Sequence, residues 1–323
     1  MRRLHGLVVA VALIGATAAP VAGQGYPSRT VALVVPYPAG GSVDRVARII
    51  AQKLNETLGQ SVIVENRAGG AGGIVGANYV AKAAPDGHTL LLTASIHVIT
   101  PFLHKSVPYD AVKDFAPITL VAAGPLLVST APAIPASNLK EFFALVRREP
   151  AKYTLATSSF GSAGHLAIEL LKRDAGIDTL VVAYKGAGPA LTDLMSGQVQ
   201  LMADPMASSL PLAQSGMIKA LAITSAARIA AAADIPTVAE SGMTGFEFSS
   251  WYGLWGPKDL SPDIVAKLQA EVARITAEPE IKQRLGALGF AAIGSSTDYF
   301  VKYIDAEVEK SGKIIKDANI KTE

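Results

Sequence analysis

The chain has no cysteine. That absence excludes a disulfide framework, a thiolate metal site and a cysteine nucleophile together. It is compatible with an oxidising compartment without demanding one. Charge is also scarce: Asp, Glu, Lys and Arg make up 17 % of the 323 residues, against roughly 25 % in ordinary soluble domains. Basic and acidic residues number 29 and 27 and form no block or stripe. Nucleic acid is therefore excluded as a partner, because phosphate neutralisation needs clustered Lys and Arg. Beyond the first twenty residues no apolar run is long enough to span a bilayer, which takes about 20 residues. There is no G-x-G-x-x-G. The stretch Gly69 to Gly76 comes nearest and carries Val75 where glycine is required. There is no P-loop lysine pattern, and none of His5, His88, His97, His104 and His165 forms a tight metal-binding pair. No repeat at solenoid spacing is present.

Half of the residues are hydrophobic, ample for a packed core and far from the composition of a disordered chain. The length suits two ordinary domains or one large one. The N-terminus begins Met1-Arg2-Arg3, continues with an apolar run from Leu7 to Ala19, and reaches the small residues Val21-Ala22-Gly23. This is the layout of a secretory signal peptide over residues 1–23. The run, about 13 residues, is too short for a spanning helix. Without Arg2 and Arg3 the basic and acidic residues are equal, 27 each, so steering by net surface charge is not the design.

One unit is used repeatedly. Thr30 to Val35 is a β-branched apolar run that reads as a buried strand. Pro36-Tyr37-Pro38-Ala39-Gly40-Gly41 reads as a loop. Val43, Val46, Ala47, Ile50, Leu54 and Leu58 then fall on one helical face, closed by Gly59. The same strand, loop and helix recur at Tyr153 to Thr157, Ser158 to Gly164, and Leu166 to Leu171. A third copy runs through Leu180 to Ala183 and the loop Tyr184 to Gly188, with Pro189 near a helix start. Ser61 to Val64, Leu90 to Thr93, Gln200 to Ala203 and Ala220 to Thr224 read as further strands, and helices open at Ser261-Pro262, Glu280 and Thr297-Asp298. Strands alternating with helices predict an α/β fold with parallel sheets covered on both faces.

In open parallel sheets ligands bind where strands end and helices begin. A helix N-terminus there offers unpaired N–H groups and about half a positive charge, and glycine lets backbone approach a ligand closely. Two such ends facing each other across a cleft would bind a small anion without any arginine. Each loop taken alone can equally be a tight strand–helix turn. Ser162 beside His165 raises a second possibility, an exported hydrolase, but both fall in one helical turn and no third orienting group is evident. His165 either donates to a ligand carboxylate or hydrogen-bonds its own loop. Asp44 complements its helix dipole. Asp204, before Pro205 at a sheet edge, orders a water, accepts from a ligand amine or shapes a turn. Trp251, Tyr252 and Trp255 read as core or hinge packing. His97 and His104 lie in a loop-like stretch with surface or structural roles.

Five segments, taken in order, resemble one family: Val34 to Asp44, Val64 to Gly73, Pro85 to Leu90, Gly161 to Leu166 and Tyr184 to Ala190. They are similar to the Bug-type extracytoplasmic solute receptors, the substrate-binding proteins of tripartite tricarboxylate transporters, and the resemblance extends over essentially the whole chain after the signal peptide. It implies a two-lobed periplasmic-binding-protein clamshell, each lobe a mostly parallel sheet flanked by helices. Together with the loop repeats it assigns residues 26–122 plus 245–323 to lobe 1 and 123–244 to lobe 2. It also implies hinge closure on a small carboxylate (a dicarboxylate, aromatic acid or acidic amino acid) for membrane permease subunits. A periplasmic sensor receptor feeding a kinase is the alternative output. Carried onto this chain, the ligand-binding residues are Tyr37, Pro38, Ala39, Gly40, Gly41 and Ser95 on one lobe. Ser158, Gly161, Ser162, His165, Tyr184 and Asp204 supply the other. A monomer is the expected state, and no catalytic residue, metal or cofactor is implied. Ser158-Ser159-Phe160 departs from the family's smaller residues before Gly161, as does Asp204-Pro205-Met206 after the aspartate, and both bear on ligand identity.

Overall fold

The computed structural model describes residues 25–320. The signal peptide expected over 1–23 lies outside the described residues. In chain order the elements are β1 (Val31–Val35), α1 (Ser42–Leu58), β2 (Val62–Asn66), α2 (Ile74–Ala81), β3 (Thr89–Ala94), α3 (Ile96–Leu103), β4 (Phe115–Thr130), α4 (Leu139–Arg148), β5 (Leu155–Thr157) and α5 (Ala163–Ala175). There follow β6 (Val181–Ala183), α6 (Ala187–Ser196), β7 (Leu201–Pro205), α7 (Met206–Gln214), β8 (Lys219–Ile223), β9 (Ser249–Pro257), α8 (Pro262–Ala277), α9 (Pro279–Ala287), β10 (Ala291–Ala292) and α10 (Thr297–Asp317).

The strands join in the order β2-β1-β3-β9-β4-β7-β5-β6, with β8 and β10 both added to β4. Two parallel triplets stand out: β2-β1-β3 and β7-β5-β6. Each is built from strand–loop–helix units and forms one lobe of an α/β clamshell. Between them lie the long antiparallel strands β4 and β9. β4 pairs with β9 as far as Pro125 and from Leu126 with β7 and β8. It belongs to both lobes, and the ladder passes between partners at Gly124-Pro125. Thr224 fastens this point. Its hydroxyl accepts from the Leu126 N–H at 2.8 Å and donates to the Phe248 carbonyl at 2.6 Å, just before β9.

The cores follow the sequence pattern. Val46, Ala47, Ile50 and Leu54 of α1 are buried with Leu33 and Val35 of β1, and with Leu268, Val272 and Ile275 of α8. A second core runs from Trp251, Trp255 and Phe300 through Leu126 and Val128 to Leu155, Leu166 and Leu171, so apolar packing continues from one lobe into the other. Trp251, Tyr252 and Trp255 are fully buried on β9, as expected for a packing role. Trp251 Nε1 donates to Glu307 at 3.0 Å.

Three local readings need correction. The loop-like stretch around His97 and His104 is the helix α3, with His97 inside and His104 at its C-cap. Pro101 within it hid the helical pattern. Asp204 is not at a sheet edge, because β7 lies between β4 and β5. The strand Ala220 to Thr224 is antiparallel to β4 rather than part of a parallel set. No helix among the described residues is long and apolar enough to cross a membrane.

Candidate ligand cleft

The loop after β1 is held from below. The Tyr37 hydroxyl bonds Thr93 Oγ1 at 2.8 Å, and Asn66 Nδ2 donates to the Tyr37 carbonyl at 3.1 Å. Burial pushes the Tyr37 phenol up to about 12, so it stays protonated. Pro38, Ala39 and Gly40 are exposed and Gly41 is half-buried. Gly40 has φ +83°, the left-handed region that glycine adopts without steric cost. Asp44 serves its own loop. It accepts from the Gly40 N–H (2.9 Å), Arg48 Nε (2.9 Å) and Asn66 Nδ2 (3.0 Å). Burial works against its charge, but these bonds outweigh it and hold the carboxyl below its ordinary value. No side chain caps α1, whose N-cap is Gly41.

The second-lobe loops are arranged differently. The Ser162 hydroxyl caps α5 by accepting from the His165 N–H at 3.2 Å, and also bonds Thr157 Oγ1 at 2.8 Å. His165 Nδ1 accepts from the Gly161 N–H at 3.1 Å, while its Nε2 points to Glu169, 3.9 Å away. No ring nitrogen of His165 reaches Ser162 Oγ, so the pair does not form the nucleophile and base of a hydrolase. Burial, with a contribution from Lys172, lowers His165 to about 4, and it brings no positive charge at neutral pH. Its ring packs on Phe160 with centroids 4.7 Å apart. It lines a side groove of ≈ 950 Å³ with Tyr153, Leu180 and Ile320.

Tyr184 donates to Asp193 at 2.6 Å. The Gly186 N–H is tied to the Ser158 carbonyl at 2.7 Å. Gly186 is the N-cap of α6, again without a side-chain cap. A Cβ added there would sit 3.4 Å from Pro38 Cγ. The loops 36–41 and 184–186 thus meet across the seam between the lobes, at Pro38 and Gly186, and each leads into a helix without a side-chain cap. Gly161 leans on the same seam, where a Cβ would come within 2.5 Å of Leu103 Cδ1 of α3. Ser95, the N-cap of α3, is buried with its hydroxyl unpartnered.

Deeper in the seam, beside Asp204, lies a pair of serines the sequence did not single out. Ser42 Oγ of α1 and Ser208 Oγ of α7 are 3.0 Å apart, and Ser208 contacts Asp204 Oδ2. Asp204 is fully buried and its Oδ1 has no partner. Burial holds the phenol of Tyr252, also fully buried, well above its ordinary value. Ser42 and Ser208 are 166 residues apart, and no local pattern announces such a pair. Among the described residues no group of three or more metal-ligating side chains is gathered anywhere.

Residues 46–320 match the model of the tripartite tricarboxylate transporter family receptors, and the chain belongs to that family. It is 32 % identical to Protein BugT of Bordetella pertussis over 323 residues, 99 % of each chain. A protein from the tcbD-tcbE intergenic region of Pseudomonas sp. is 36 % identical over 291 residues, 90 % of this chain and 86 % of that one. Among solved structures, the periplasmic binding protein BugD superposes with TM-score 0.87 at 35 % identity, covering 92 % of this chain and all of that one. Rpa4515 of R. palustris, solved with adipate, gives 0.90 at 34 % over 92 % and 100 % of the two chains. MatC of Rhodopseudomonas palustris, solved with malate, gives 0.84 at 34 % over 90 % and 100 %.

Proposed function

We propose that this chain is a periplasmic receptor that captures a small dicarboxylate by closing its two lobes and presents it to the permease subunits of a tripartite transporter. The observation that carries this reading is the meeting across the seam, at Pro38 and Gly186, of two loops that lead into uncapped helix N-termini at Gly41 and Gly186. Each offers backbone N–H donors and the positive end of a helix dipole. Neither His97 nor His165 supplies a cation, since burial lowers both to about 4. A carboxylate would be held by backbone, with Tyr37 beneath the first loop. The adipate and malate bound by relatives at 34 % identity support the ligand class. Lobe 1 would comprise residues 26–122 plus 245–323 and lobe 2 residues 123–244. The hinge would lie where β4 changes partner, at Gly124-Pro125. Ligand contact is assigned to Tyr37 to Gly41, Ser95, Ser158, Gly161, Ser162, Tyr184 and Asp204. His165 would act through the Gly161 loop it supports. Residues 1–23 would direct export, and the receptor would act as a monomer.

The test is a thermal-shift panel on mature protein refolded to strip bound ligand. It should hold mono-, di- and tricarboxylates, aromatic acids, acidic amino acids, sugars and neutral amino acids. A ligand at about 1,000 times its Kd adds about 4 kcal/mol. Shifts confined to carboxylates are expected; shifts confined to sugars or neutral amino acids would overturn the reading.

A further inference from the structure

The hydroxyl chain Ser42–Ser208–Asp204 crosses from α1 of one lobe to β7 and α7 of the other. Its hydrogens can be counted. Ser208 has one, and three groups lie within reach: Asp204 Oδ2, Ser42 Oγ and the Pro205 carbonyl, the last at 2.9 Å. With Asp204 ionised, the Ser208 hydrogen goes to the carboxylate, and the Pro205 carbonyl is left to the Ser209 hydroxyl at 3.3 Å. A fully buried charge then rests on a single hydrogen bond, with Oδ1 bare. With Asp204 protonated, the acid donates to Ser208, Ser42 donates to the second lone pair of Ser208, and Ser208 donates to Pro205. The hydroxyl hydrogens find acceptors in both forms, and only the protonated form leaves no charge buried unpaired.

The charged groups nearby leave this balance unchanged. The residues of β4, β5 and α7 that pack on β7 include no titratable side chain. On α6, Asp193 is engaged by Tyr184. On α5, His165 is turned to Gly161 and Glu169, and Lys172 pairs with Glu169. On α1, Asp44 and Arg48 are paired with each other. Tyr252 of β9 faces Asp204 and is neutral. Among the described residues no cation compensates the carboxylate.

We infer that Asp204 is a proton-binding site at the junction of the lobes, and that the closed receptor takes up this proton when it captures its ligand. The proton itself follows from the full burial of a carboxyl that has one hydrogen-bond donor; its coupling to capture rests on the receptor reading above. Burial, opposed in part by the Ser208 bond, pushes Asp204 up to about 7. In the open form the same carboxyl, reached by water, would return toward the ordinary range for aspartate.

The test has two arms. Infrared spectra of adipate-saturated wild type and Asp204→Asn at pH 6 should differ by the carbonyl band of a protonated carboxyl, present only in the wild type. Ser208→Ala should retain that band and move it to higher frequency, because the acid loses its acceptor. Absence of the band from both wild type and Ser208→Ala overturns the proton site. In the second arm, adipate and malate are titrated by calorimetry at pH 6 and pH 8 in buffers of different ionisation enthalpy. One proton held near neutrality predicts that wild-type affinity falls about tenfold from pH 6 to pH 8, while that of Asp204→Asn, neutral throughout, stays level over the same range. It also predicts an extra proton taken up only by the wild type. Binding with equal proton uptake in both proteins overturns the coupling. Failure of either dicarboxylate to bind counts against the receptor reading, and the infrared comparison is then made with the compound that the thermal-shift panel identifies, which decides the proton separately.

Discussion

The N-termini of α1 and α5 follow loops of the same kind, yet they are finished in different ways. α1 starts at Gly41 with no side chain on its first N–H groups, and the nearby carboxylate of Asp44 turns back to Gly40, Arg48 and Asn66. α5 starts at Ser162, whose hydroxyl satisfies the His165 N–H, and His165 in turn accepts from Gly161. α6 resembles α1, with Gly186 as an uncapped start. The loops of the open pair meet across the seam. Under the proposed function the difference divides the loops: the helix starts at Gly41 and Gly186 keep N–H donors for a carboxylate, while the α5 loop, its first donor already engaged, adds only side contacts. A capped start is a finished turn, and an uncapped one facing another lobe still has hydrogen bonds to give.

Substitutions sharpen the contrast, and the largest effect is expected at Gly164. A Cβ there would lie 2.1 Å from the Ala203 carbonyl, and backbone cannot step aside. Gly164→Ala should cost more than about 3 kcal/mol in urea unfolding. Gly41→Ala meets only the Pro38 carbonyl, at 3.6 Å. It should change stability by less than about 0.5 kcal/mol while weakening carboxylate binding about tenfold by calorimetry, near 1.4 kcal/mol. Equal effects at the two glycines would break the comparison. Asp44→Ala should cost about 1–3 kcal/mol, since it strands the Asn66 amide and the Gly40 N–H. The depressed Asp44 carboxyl stabilises the fold above the ordinary aspartate range and loses that contribution as pH falls through its lowered value. The wild type should therefore lose stability on acidification more steeply than the variant, as read from unfolding midpoints between pH 5 and about pH 2. Ser162→Ala should cost about 1 kcal/mol for a lost N-cap, with a smaller effect on binding. Tyr184→Phe, which removes one partly exposed bond to Asp193, should stay within about 0.5 kcal/mol in the same unfolding assay.

Much of the fold was legible because β-branched runs and 3.6-residue periodicity mark short parallel strands and their helices. Val31 to Val35 and the buried face of α1 fall where the pattern put them. β4 was not legible. Its sixteen residues include Gly124 and Pro125, which read as a break, whereas the strand continues and only its partners change. β9 was masked in the same way by Gly253 and Gly256 among its aromatics. The loops of the cleft were visible as glycine clusters at strand ends. The Ser42–Ser208 contact was invisible because two serines carry no signal until the fold brings them to 3.0 Å. Asp204 was singled out, but its solitude was not, since the lack of a cation nearby is a property of packing.

Thr224 has a mechanical meaning. One hydroxyl ties β4 at Leu126 to the returning chain at Phe248, where the two connections between the lobes run side by side. Both connections are thereby made to bend together, as paired leaves of one flexure. If the lobes close as proposed, closure is a rotation about a single axis, with the jaws returning to the same register at every cycle.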